Sequence, residues 1–124
     1  VGSEMCIRDR DNPANRQFVA DFKKAYNRSP TLYASQGYDA AMLLDSAVRQ
    51  TGGKLGADAL RPALRRADFK SVRGDFKFNR NQYPIQNYYL RTIEKGADGK
   101  LANKLSGTVL TQYQDPFAAA CQMK

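Results

Sequence analysis

The segment from Tyr33 to Thr51 constrains the fold more than any other, because its helical periodicity leaves almost no polar side. Tyr38, Ala41, Leu44 and Val48 share one face of a 3.6-residue repeat, and Ala40, Leu43 and Ala47 share the adjoining one. Only a narrow stripe of Asp39, Ser46 and Arg49 is polar. Such a helix is expected to be largely buried, with neighbours on more than one side. Each Leu, Met or Val it buries contributes about 1.5 to 3 kcal/mol before chain entropy is subtracted. Gly52 and Gly53 supply its stop.

Two further helices flank it. Asp11, Asn12 and Pro13 form a start signal, since a side-chain oxygen can accept an orphan N–H and proline at the first helical position loses no bond. Phe18, Phe22 and Tyr26 then recur at four-residue spacing with Val19 beside them, an apolar stripe expected to pack inward. That helix ends between Asn27 and Pro30, because Ser29 before proline is pushed to extended geometry. A shorter helix is expected over Asp58 to Ala67, Leu60 and Leu64 inward, weakened by Pro62.

Near residue 75 the period changes from 3.6 to 2. Phe76 and Phe78 alternate with Asp75 and Lys77; Tyr88, Leu90 and Thr92 alternate with Asn87, Tyr89 and Arg91. Asp98-Gly99 is a hairpin turn between Tyr88 to Glu94 and Leu105 to Leu110, and a short helical piece is expected from Phe117 to Cys121. The fold class is therefore α/β, three helices followed by a few strands. So few strands are marginal unless another layer covers them, which marks an incomplete unit.

The chemistry is restricted. The chain has no histidine, which removes Ser/His/Asp and Cys/His nucleophilic sites and most zinc constellations. Asp39 and Asp45 do not share a helix face, so no paired carboxylates arise for acid/base work. An enzyme is not expected, nor a metal or cofactor. Gly52-Gly53-Lys54 lacks the spacing of a phosphate loop, and Leu55 stands where the hydroxyl belongs. Arg73-Gly74-Asp75 spells an adhesion tripeptide that recurs by chance. A net charge of +8, with Arg61, Arg65, Arg66, Lys70, Arg73, Lys77 and Arg80 close together, admits a small basic nucleic-acid-binding module as the alternative function; the plainer reading is a solvated helix face and loop. Cys121 reads as a packed thiol, and its pairing with a cysteine elsewhere is left open.

The first ten residues, VGSEMCIRDR, show no periodicity and resemble an adapter read-through; they are expected to be a non-native leader over 1–10. From Asn12 onward, four blocks stand in a specific order: NPANRQFVADFKKAYNRSP, TLYASQGYDAA, ALRPALRRADFKSVRGDFKFNRN and YYLRTIEKGADGKLANKLSGTV. Together they resemble the C-terminal part of the branched-chain amino-acid-binding family, the type I periplasmic solute-binding proteins of ABC importers. The resemblance implies that residues 11–124 are the C-terminal part of such a domain, an incomplete lobe of a two-lobed protein. It further implies a periplasmic, non-enzymatic, monomeric full-length protein that closes on an amino acid or related acid and passes it to a membrane permease, with no nucleic-acid partner. Tyr33, at the start of its helix, is then expected to face the solute, with Ser35 and Gln36 lining the same opening and Tyr38 serving packing. The groups that clamp the solute's charged ends would lie outside this chain.

Overall fold

The computed structural model describes residues 12–96, 99 and 101–121, without the side chains of 102 and 103. The proposed leader and Asp11 lie outside the described residues, as does Asp98. Helices α1 (Pro13–Tyr26), α2 (Leu32–Gln50) and α3 (Ala57–Arg66) precede strands β1 (Lys77–Phe78), β2 (Pro84–Lys95) and β3 (Leu101–Tyr113). The strands form one antiparallel sheet in the order β1-β2-β3.

The helix ends follow from local chemistry. Asn12 caps α1, its Oδ1 accepting the Asn15 N–H at 2.7 Å with Pro13 in the first turn, and Thr31 caps α2 by accepting from the Ala34 N–H. Asn27 closes α1 in the left-handed region at φ 50°. At the end of α2 the Gly52 N–H reaches the Arg49 carbonyl and the Gly53 N–H the Val48 carbonyl, the paired bonds of a Schellman motif. Both glycines have positive φ, which only a residue without Cβ adopts at no cost.

Phe18 and Val72 form the buried core, with Ala14, Val19, Phe22, Ala34 and Tyr38 packed against it. The aromatic stripe of α1 continues to the surface: Phe18 and Phe22 ring centroids are 5.8 Å apart, Phe22 and Tyr26 4.5 Å, yet Tyr26 itself is exposed. Ala47 of α2 and Ala63 of α3 are both sealed, and α3 lies against α2.

Helix α2 corrects the expectation of a broadly buried helix. Its covered side holds Ser35, Asp39, Ser46 and Ala47, whereas Ala40, Ala41, Leu44 and Val48 are exposed. Asp39 and Ser46 of the polar stripe are inside, because Asp39 has partners there, while Arg49 is exposed. Asp39 Oδ2 accepts from Ser71 Oγ at 2.6 Å and from Arg73 Nε at 3.0 Å, and Oδ1 accepts the Val72 N–H at 3.0 Å. Ser46 satisfies itself on the Leu43 carbonyl. A buried carboxylate is tolerated only when paired and hydrogen-bonded, and here the α3–β1 loop wraps around it.

The strands are longer than the alternation predicted, except β1, which is limited to two residues. On strand β2, Asn87, Tyr89 and Arg91 are half-buried while Tyr88, Leu90 and Thr92 are exposed. The β2–β3 register shifts between Gln86 and Tyr88, between Tyr88 and Tyr89, and between Leu90 and Arg91, each time with the additional residue on β3. The Gln112 N–H, freed by one bulge at φ 49°, donates to Asn87 Oδ1 at 2.7 Å. Gly99 lies in the turn that closes the hairpin, with φ 76°. After β3, residues 116–120 form successive turns in place of the expected helix. Ala118, Ala120 and Cys121 donate to Asp115, Phe117 and Ala118, and with Phe117 exposed no apolar face stabilises a longer helical run.

Asp39→Ala should lower unfolding stability by about 3 kcal/mol, since it strands Arg73 and the Ser71–Val72 loop. Urea denaturation measures this; a loss under about 1 kcal/mol contradicts the role given to the carboxylate.

Candidate functional site

Thr31 fixes the first turn of α2, and that turn decides what Tyr33, Ser35 and Gln36 can do. Tyr33 stands outward with 73% of its surface exposed. Gln36, three residues on, lies on the same side and is also exposed. Ser35, two residues from Tyr33, falls on the opposite side of the helix, where it is fully buried and its Oγ donates to the Leu32 carbonyl at 2.7 Å. Tyr33 and Gln36 therefore share a surface that Ser35 does not reach.

Below Tyr33 and Gln36 that surface continues through Gly37, Ala40, Ala41, Leu44 and Val48. A Cβ on Gly37 would meet nothing within 4 Å. The strip is smooth, uncharged down to Asp45, and ends at an exposed Arg49–Asp45 pair with a 2.9 Å contact, worth little at that exposure. Tyr38, by contrast, packs on Phe18 with ring centroids 4.8 Å apart, in keeping with the packing role expected for it.

On the other side of α2, an open cavity of about 730 Å³ lies between the start of α1 and the α3–β1 loop, lined by Pro13, Phe69, Lys70, Phe76, Lys77 and Gln112 among others. Its loop contains the Arg73-Gly74-Asp75 tripeptide. Arg73 is not presented for recognition: besides its bond to Asp39, its guanidinium sits 5.4 Å from the Phe76 ring centroid. Arg66 likewise donates to Gln50, so two members of the basic run are engaged within the fold. The clamp on Asp39 was missed by sequence reasoning, although a lone carboxylate among apolar helix positions was the signal available.

Against this geometry the chain is matched by the periplasmic binding protein family over residues 1–100, and it belongs to that family. The architecture is a part of the type I fold of ABC-transporter binding proteins. It is similar to Leu/Ile/Val-binding protein homolog 6 of Brucella abortus (strain 2308), 33% identical over 97 residues, covering 76% of this chain and 25% of that protein. Among solved structures it is similar to a solute binding protein of an ABC transporter from R. palustris in complex with benzoate. The TM-score there is 0.79 at 37% identity, covering 93% of this chain and 31% of that one. A second, from Rhodopseudomonas palustris BisB5 in complex with 3,4-dihydroxybenzoic acid, gives a TM-score of 0.74 at 32% identity, covering 86% of this chain and 29% of that one. The chain spans about a quarter of the length of the curated relative and under a third of the solved ones. These relatives are solute-binding transport proteins, and they lend no support to the nucleic-acid alternative.

Tyr33→Ala should leave stability within about 0.5 kcal/mol of the parent, whereas Tyr38→Ala should cost about 2 kcal/mol or more. Thermal or urea unfolding of the pair distinguishes an outward ring from a packed one.

Proposed function

We propose that the protein to which this chain contributes is the solute-binding component of an ABC importer, acting in the periplasm and performing no chemistry on its cargo. The chain supplies one wall of the solute site. The observation that carries this reading is Tyr33: a large aromatic side chain held outward at a capped helix start, on a strip with no polar competitor apart from Gln36.

An aromatic ring on a rigid first turn offers apolar area at low entropic cost, and its hydroxyl can bond at the rim. Such a wall suits a solute with an apolar body. Relatives point to two kinds: the Brucella protein is named for Leu, Ile and Val, and the two R. palustris structures hold benzoate and 3,4-dihydroxybenzoic acid. The common chemistry is a small carboxylic acid with an apolar or aromatic body, an amino acid or a related acid. Closure of a second lobe over Tyr33 and Gln36 would enclose it, and the closed form would engage the membrane permease.

The 124-residue chain alone should bind neither leucine nor benzoate with micromolar affinity, because one wall lacks the convergent polar groups of an enclosed pocket. Isothermal calorimetry checks this. In the full-length protein, Tyr33→Ala should weaken binding of the acid that it takes by about tenfold, and Gln36→Ala by less. Unchanged affinity in Tyr33→Ala would remove the tyrosine from the site.

A further inference from the structure

At the end of the ribbon away from the Gly99 turn, strand alternation gathers tyrosines on one face. Pro84, Gln86 and Tyr88 are two apart and point the same way, and Tyr113 pairs directly with Gln86, which places it on that face too. The rings of Tyr88 and Tyr113 meet edge to face, with centroids 5.5 Å apart and planes at 88°. Tyr83, at the β1–β2 turn, is 64% exposed and borders the same cavity of about 360 Å³.

Among the described residues one charged group lines this cavity, the carboxylate of Asp115, and no lysine or arginine does. Asp115 is held in place. Its Oδ2 accepts from Asn81 Nδ2 at 2.6 Å and its Oδ1 accepts the Phe117 N–H at 2.9 Å, which ties the β1–β2 turn to the segment after β3. An ionised carboxylate offers about four acceptor positions, so two bonds leave capacity for a further partner. Gln86 Nε2 donates to the Tyr88 hydroxyl at 3.3 Å and steadies that ring.

We propose that this tyrosine corner binds a small organic cation of the alkylammonium class. Ring faces are negative and attract a cation lying within about 6 Å of the centroid, most strongly where several rings share it. The fixed carboxylate adds the matching charge, and among the described lining residues an anion would meet it with no compensating donor cation. Elsewhere on the ribbon the exposed apolar residues Leu90, Ile93 and Val109 are aliphatic and offer no ring face.

Choline and its uncharged carbon analogue 3,3-dimethyl-1-butanol, titrated separately into the full-length protein and followed by the NMR signals of the tyrosine rings, test the assignment. Choline should move the signals of Tyr83, Tyr88 and Tyr113 and bind about tenfold more tightly than the alcohol. Tyr88→Phe should keep that preference, and Tyr88→Leu and Asp115→Asn should each lose most of it. Equal binding of the two probes would mean a plain apolar patch, and absence of ring shifts with choline would mean no site; either overturns the proposal.

Discussion

One buried carboxylate organises the helical half of the chain. Asp39 takes up a hydroxyl, a backbone N–H and a guanidinium from three successive residues, Ser71, Val72 and Arg73. Those three bonds fix where the chain leaves α3 and enters the sheet. Val72 is thereby set against Phe18, which is how α1 comes to be packed at all: its buried ring meets Val72 and Tyr38. Asn12 reinforces the arrangement by donating to the Val72 carbonyl at 3.3 Å while it caps α1. Helix cap, core residue and loop depend on the same few atoms.

The clamp also explains why α2 presents its apolar side outward. Helix α2 turns Asp39 and Ser46 in and leaves Leu44 and Val48 open. A chain that hid its most apolar faces by itself would have to bring Asp39 to the surface and give up its three partners. The relatives, each about three times as long as this chain, have further protein available to cover such a face. An element satisfied on its polar side and open on its apolar side is what one part of a larger two-lobed protein requires.

Much of this was legible from residues alone. Capping chemistry located the start of α1 and periodicity that of α2, each within a residue or two, and paired glycines marked the end of α2 through a motif that depends on backbone bonds rather than on packing. The change from period 3.6 to period 2 separated helices from strands. Orientation was not legible. Periodicity groups Tyr38, Ala41, Leu44 and Val48 on one side but cannot say whether that side meets this chain or another part of the protein, and only the partners of Asp39 decide it. Ser35 neighbours Tyr33 in sequence but lies on the buried side of the helix, since nearness in sequence is not nearness on a helix surface. The extent of β3 was hidden by its bulges, which break the alternation that would have revealed it.

Those bulges have a mechanical result. All the surplus residues lie on β3, so its contour is longer than that of β2 and the pair must coil toward the shorter strand, as a strip of two unequally expanded metals does. Sliding one strand past the other by a single position would require every bulge to migrate at once and would pull Gln112 off Asn87. The ribbon is thus a ratchet with one allowed notch.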